Sequence, residues 1–293
     1  MANPWILAAR PATLWAAVAP VLVAAGVAIG DGAFRFDAFL AALLGAVAIQ
    51  VAANFANDVS DAHRGADTAE RIGPPRAVAS GMLSARKMWL GVAAAFAVAT
   101  VAGVYLIAIA CPVIAVIGIT SIIATLTYVG GPIPYGYRGL GEAFVFIFFG
   151  LVATVGSRYV HDQTAPAAIW ALAIPMGFLV TAILVANNVR DIETDASVGK
   201  RTLAVILGRD RTVVLYGSLI YGTFLAIAVF AVASLTTGWT LLALLALPLG
   251  VPLVRAVASH VQGPPLIRVL KGTARLQLVV GLLLGIGSAI AGF

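Results

Sequence analysis

The sequence predicts an all-α integral membrane protein with nine transmembrane helices, on three observations. Hydrophobic residues make up 61% of the chain and charged residues 10%, and the mean hydropathy of +1.03 lies far outside the range of soluble domains. Apolar runs recur at about the 20 residues a helix needs to cross hydrocarbon. Lysines and arginines gather in alternate loops, as positively charged cytoplasmic loops require.

Nine runs can be delimited: 12–30, 36–57, 86–108, 110–127, 139–157, 165–187, 212–233, 238–258 and 273–291. The first is preceded only by Arg10 and is too long for a secretory leader, so it is expected to stay as a helix. The second ends in a polar segment running from Asn54 to Asp67. The third and fourth form about 40 continuous apolar residues, too many for one span, so a tight turn at Cys111-Pro112 should divide them. A turn-forming stretch, Gly130-Gly131-Pro132-Ile133-Pro134, precedes the fifth. The sixth ends in a second polar segment, Asn187 to Asp195, followed by Lys200 and Arg201. Three further runs complete the set. No linker-like or low-complexity stretch interrupts them, so residues 1–293 read as a single membrane domain. The one cysteine excludes an internal disulfide.

With the N-terminus cytoplasmic, sixteen of the eighteen Lys and Arg residues fall on the cytoplasmic side and only Arg35 and Arg158 fall outside. Both polar segments, the Tyr128–Glu142 loop and the 259–272 loop share that face. The net charge of +6 then belongs to loops beside anionic lipid, and no nucleic-acid partner is needed to explain it.

Ionisable groups beside hydrocarbon mark functional sites by default. Asn57 and Asp61 are four apart, on one helical face that Asn54 joins, while Asp58 points away. Asp67 follows Gly65, which lets the chain turn back. Asn187, Asp191 and Asp195 form an i, i+4, i+8 ladder, with Glu193 on the opposite side. Oxygen donors without thiolates, and with His63 as the one nearby imidazole, favour Mg²⁺, which is completed by substrate phosphates. Arg64, Arg76, Arg190, Lys200 and Arg201 are the cations a diphosphate would meet. The tyrosines of the 128–142 loop suit either an interfacial belt or a ligand pocket. A divalent-cation transporter would also carry carboxylates in a helix bundle, but nearer mid-membrane.

On these residues the chain resembles the UbiA superfamily of intramembrane prenyltransferases. Asn57, Asp61 and Asp67 match its Asn-x-x-x-Asp…Asp motif, and Asp191 and Asp195 its Asp-x-x-x-Asp motif. The six-residue gap from Asp61 to Asp67 resembles the MenA-type branch, which prenylates 1,4-dihydroxy-2-naphthoate. So do Arg10-Pro11, the stretch Glu70 to Gly81, Tyr128 to Gly141, and Gly199-Lys200-Arg201-Thr202. The resemblance implies nine transmembrane helices around a central cavity open to the cytoplasmic face. It implies Mg²⁺ held by Asn57, Asp61, Asp67, Asp191 and Asp195, with Asp61, Asp191 and Asp195 catalytic. Arg76, Lys200 and Arg201 would bind the diphosphate, while Tyr128, Tyr137 and Arg138 are candidates for the acceptor only by their position on the cytoplasmic face. The substrates would be a polyprenyl diphosphate and 1,4-dihydroxy-2-naphthoate, giving demethylmenaquinone. Another aromatic acceptor would share the two motifs.

Topology reporters placed in the 58–85, 128–140, 188–211 and 259–272 loops should all read cytoplasmic, and one at the C-terminus external. An internal C-terminus would mean an even number of spans.

Overall fold

The computed structural model describes residues 3–65, 73, 75–132, 134–259 and 263–291, and all regular structure among them is helical. A short helix α1 (Pro4–Ala9) is capped by Asn3, whose side chain accepts the Trp5 N–H. Arg10 adopts a left-handed conformation, φ 50°, and Pro11 then opens α2 (Pro11–Gly30). Then follow α3 (Phe36–His63), α4 (Ala85–Ile109), α5 (Val113–Thr127), α6 (Gly141–Asp162) and α7 (Ala167–Arg190). Two short helices, α8 (Ile192–Ser197) and α9 (Leu203–Leu207), lead to α10 (Arg209–Val232), α11 (Gly238–Ala258) and α12 (Pro265–Ile290).

Among the described residues, eight helices are long and apolar enough to cross a membrane. The ninth apolar helix, α5, has 15 residues and reaches only about 22 Å at 1.5 Å per residue. The division at Cys111-Pro112 is present, because Ala110 leaves the helical conformation and α4 ends there. The expected spans stop short at their polar ends. Helix α3 continues to His63, so Asn57, Asp58 and Asp61 are helical. Helix α12 begins at Pro265, eight residues early, since Leu266, Val269 and Thr273 keep a buried stripe going through its charged first turns. The ladder of Asn187, Asp191 and Asp195 is not one continuous helix, because Asp191 interrupts it with φ −101° and ψ 10°. The Asp195 N–H still reaches the Asp191 carbonyl at 2.7 Å, so the two acids keep their one-turn spacing. Helix α6 holds a π-helical stretch, Phe146–Val152, that no periodicity announced.

Helix α7 is the hub. Ile169, Leu172, Met176, Leu179, Val185 and Val189 are all buried, and α6, α10 and α12 pack on it. Outward-facing Val101, Val104, Val116, Leu225, Val232 and Leu245 present the apolar surface that lipid demands. Helices α2 and α12 meet backbone to backbone: a Cβ on Gly26 would fall 2.1 Å from the Gly285 carbonyl oxygen. At the end of the bundle away from the acidic motifs, Arg158 is 1% exposed and is held by Asp31 at 2.7 Å and Asp162 at 2.6 Å. Beside it Arg35 pairs with Asp37 at 2.7 Å, and Tyr105 donates to Asp37 at 2.8 Å.

Gly26→Ala should lower the melting temperature in detergent, by the equivalent of about 1–3 kcal/mol of overpacking. Gly118→Ala, with nothing within 4 Å of its added Cβ, should leave it unchanged. Equal effects would show that the α2–α12 contact is not the tight one.

Candidate active site at the polar end of the cavity

Two loops and two helix ends converge around Asp61. Asp58 and Asp61 are both buried near the end of α3, and they face different partners as their spacing requires. Asp58 accepts the backbone N–H groups of Ala77 at 3.1 Å and Val78 at 2.9 Å, clamping the loop that carries Arg76. Arg76 donates in turn to Asp61 Oδ2 at 3.2 Å. The other Asp61 oxygen accepts the Tyr137 hydroxyl at 3.0 Å. Arg64 ties the end of α3 to the 129–131 turn through the carbonyls of Val129 and Gly131, and its guanidinium lies over the Tyr137 ring. Asn54 donates to the Ala9 carbonyl and to Thr13 Oγ1, which docks α1 and α2 on α3.

The second half comes from the α7–α9 region. Arg190, buried beside Asp191, donates through Nε and Nη2 to both its carboxylate oxygens and through Nη2 to Asn187 Oδ1. Gly199 takes φ 73°, which folds the chain back so that the Lys200 N–H meets the Asp195 carbonyl at 2.8 Å. Lys200 Nζ then sits 3.4 Å from Asp195 Oδ1 and 5.3 Å from the Tyr137 ring centroid. Burial, opposed by Lys200 and reinforced by the Asp191 and Asp61 carboxylates, pushes Asp195 up to about 6. Burial works against the Lys200 charge, but Asp61, Asp195 and Asp191 outweigh it and hold the amine above its usual value. Burial and then Asp61 also raise the Tyr137 phenol, so it stays protonated and donates.

Below these groups lies a cavity of about 320 Å³. Arg10, Asn57, Asp61, Arg76, Asn187, Asn188 and Lys200 line its polar end. From Asp61 to Ala42 it follows α3 for nineteen residues, about 28 Å, nearly the thickness of the hydrocarbon core. Leu106, Ile114 and Val160 line its far, apolar end. One wall is aromatic: Tyr135 stacks on Phe144 at 4.0 Å between centroids, with Tyr128 and Phe148 beside them.

Among the described residues no three of His, Cys, Asp and Glu gather into a protein-only metal cage. The donor chemistry nonetheless fits a hard cation. Asn57 Oδ1 and Asp195 Oδ2 are buried oxygens with no hydrogen-bond partner among the described residues, and oxygen is the donor type a hard cation takes.

A model of the UbiA prenyltransferase family matches residues 17–265. The 1,4-dihydroxy-2-naphthoate octaprenyltransferase of Mycobacterium leprae is 40% identical, over 94% of this chain and 92% of that protein. The chain belongs to the UbiA prenyltransferase family. The enzyme of the same name from Escherichia coli is 35% identical, over 97% of this chain and 94% of its own. A UbiA homologue from Archaeoglobus fulgidus bound to DMAPP and Mg²⁺ shares the fold, with a TM-score of 0.66, 16% identity and 99% of each chain covered.

Of the expected site residues, Asn57, Asp61, Arg76, Tyr128 and Lys200 line the cavity. Tyr137 touches it through Asp61. Asp191 and Asp195 are buried behind its mouth. Asp67 lies outside the described residues, as do Glu70, Arg71 and Pro74. Arg201 and Arg138 are exposed and do not line the cavity, because the turns that aim Lys200 and Tyr137 inward send their neighbours out. The Arg201 contact with the site is its backbone N–H, which donates to the Tyr137 carbonyl at 3.2 Å. Arg190 and Arg64, read as free to meet a diphosphate, are already committed to Asp191 and to the 129–131 turn. Glu193 points outward and pairs with Arg209, as its phase indicated. Sequence reasoning passed over Arg10 as a lining residue, although a lone cation one residue before the first span was its signal. Asp58 was passed over too, since nothing in the sequence names its partners.

Asp58→Ala should strip two loop amides of their acceptor, cost about 1–3 kcal/mol, and lower prenyl transfer roughly tenfold by releasing Arg76. Limited proteolysis of the 75–84 loop together with turnover checks this. Glu193→Gln should stay near wild type, and damage there equal to that in Asp58→Ala would contradict the geometry.

Proposed function

We propose that the protein transfers a polyprenyl group from polyprenyl diphosphate to 1,4-dihydroxy-2-naphthoate, with loss of the carboxylate as carbon dioxide and release of diphosphate, giving demethylmenaquinol, the reduced form of demethylmenaquinone. The observation that carries this reading is the cavity: acids and bases at one end, an aromatic wall beside them, and an apolar shaft nearly as deep as the bilayer core. The near-full-length likeness to naphthoate prenyltransferases supports the choice of acceptor.

Asn57, Asp61, Asp67, Asp191 and Asp195 would hold Mg²⁺ on the diphosphate. The metal, when bound, neutralises charge on the leaving group. Arg76, Lys200 and Arg10 supply cations at the same end, where the carbon–oxygen electron pair leaves with the diphosphate. Tyr137 and Arg76 hold both Asp61 oxygens, so the carboxylate is already oriented before a ligand arrives. The isoprenoid tail lies in the apolar shaft, and the aromatic wall of Tyr128, Tyr135 and Phe144 faces the allylic cation. Helix walls exclude water, so the electron-rich naphthol ring captures that cation first. The mouth faces the cytoplasm, with the N-terminus inside and the C-terminus outside, and the whole chain works as one membrane unit.

Purified protein supplied with naphthoate and prenyl diphosphates of several lengths should yield prenylated naphthoquinol by mass spectrometry, and a chelator should abolish it until Mg²⁺ is restored. Prenylation of a monocyclic phenol in preference to naphthoate would overturn the acceptor. Asp61→Asn and Asp195→Asn should each lower turnover by about three orders of magnitude while the protein remains folded. Wild-type rates at saturating Mg²⁺ would remove both residues from the site.

A further inference from the structure

Glu142 is a carboxylate inside the bundle, 7% exposed, with no ion-pair partner among the described residues. Its Oε1 accepts the Asn188 Nδ2 donor at 2.8 Å. One residue away, Asn187 Oδ1 accepts from Arg190 Nη2 at 2.9 Å. Both asparagines line the polar end of the cavity.

An amide side chain has a donor end and an acceptor end, and here the partners decide which end is turned inward. A guanidinium only donates, so Asn187 must give it the oxygen. Glu142 Oε1 accepts, so Asn188 gives it the nitrogen. Asn187 is left with a free NH₂ and Asn188 with a free carbonyl oxygen, and neither atom has a protein hydrogen bond among the described residues. The two amides are therefore polarised in opposite senses at the rim of one cavity. Glu142 also belongs to the first turn of α6, the helix that carries Phe144 of the aromatic wall. Gly141 sets that turn against Tyr128, where a Cβ would stand 3.3 Å from the ring.

We propose that Asn187 and Asn188 form the hydrogen-bonding edge of the acceptor slot, with Asn188 Oδ1 receiving a ring hydroxyl of the aromatic acceptor and Glu142 acting as the positioning residue that keeps this oxygen turned inward. The proposal rests on the reading that the acceptor is a hydroxylated aromatic ring. A flat ring lies against the Tyr128–Phe144 wall and meets the asparagine pair at its polar edge. Glu142 does not touch the substrate. It acts through Asn188, and a glutamine in its place, able both to donate and to accept, would let the amide turn over.

The test separates the two substrates. Asn188→Ala should raise the KM for naphthoate about tenfold, the value of one good hydrogen bond, and leave that for prenyl diphosphate within about twofold. Glu142→Gln should show the same split. The double variant Glu142→Gln/Asn188→Ala should be no worse than Asn188→Ala, because Glu142 has nothing left to orient. A monomethyl ether of the naphthoate should be a poor acceptor for wild type, and Asn188→Ala should not distinguish it from the parent diol. This last comparison does not depend on Glu142→Gln folding. Additive losses in the double variant, equal loss for both substrates, or continued discrimination against the ether by Asn188→Ala would each overturn the proposal while the proposed reaction stands. No turnover of any naphthoate by wild type would instead remove the reaction itself.

Discussion

A carboxylate taken out of water without a partner costs several kcal/mol, and at a hydrocarbon boundary there is little solvent to soften that cost. Asp58, Asp61, Glu142, Asp191 and Asp195 are all 8% exposed or less and lie within a few turns of one another. Each has a defined solution: two loop amides for Asp58, Arg76 and Tyr137 for Asp61, the Asn188 amide for Glu142, Arg190 for Asp191, and Lys200 for Asp195. These solutions are also what hold the loops. The 75–84 loop is held by Asp58, the 129–131 turn by Arg64, and the Gly199 turn by the Asp195 carbonyl. The architecture of the mouth follows from neutralising its own charges.

The same pairing separates two uses of charge in one molecule. At the far end Arg158 is held by Asp162 one turn along its own helix and by Asp31 at the end of α2, and no oxygen of that trio is left buried and unpartnered among the described residues. At the mouth, Asn57 Oδ1 and Asp195 Oδ2 remain buried and unmatched. Buried hydroxyls and an amide are unmatched elsewhere too, at Thr154, Thr181, Ser288 and Gln277. What distinguishes the mouth is that its two unmatched oxygens lie among carboxylates, the donor set a hard cation takes.

The fold was legible in the sequence because bilayer thickness and backbone satisfaction leave few choices. Apolar run length located every spanning helix, and the excess over one span at Cys111-Pro112 located the shortest break. Periodicity likewise separated Asp61 from Asp58 and Asp191 from Glu193, since a helix fixes phase over a few residues. It failed where the helix itself stopped, at Asp191, and where a π stretch changed the pitch in α6. Arg138 and Arg201 show the other limit. Charge type and loop membership placed them beside ligands, but a turn of a few residues decides inward or outward. Tyr137 and Lys200 took the inward places.

Partner identity is what single-sequence reasoning lacks most, and the asparagines illustrate why. Asn187 and Asn188 look equivalent on the chain, yet one faces a guanidinium and the other a carboxylate contributed by α6. Their opposite polarity exists only once α6 packs on α7, which in turn needs close approach at Gly150 and Gly177: a Cβ on Gly150 would fall 2.4 Å from the Gly177 Cα, and one on Gly177 2.6 Å from the Phe146 ring. The hydrogen-bonding character of the mouth is thus set by small residues two to three turns down the same helices. Packing without side chains at depth is what allows two polar side chains at the surface of the cavity to be read as a donor and an acceptor.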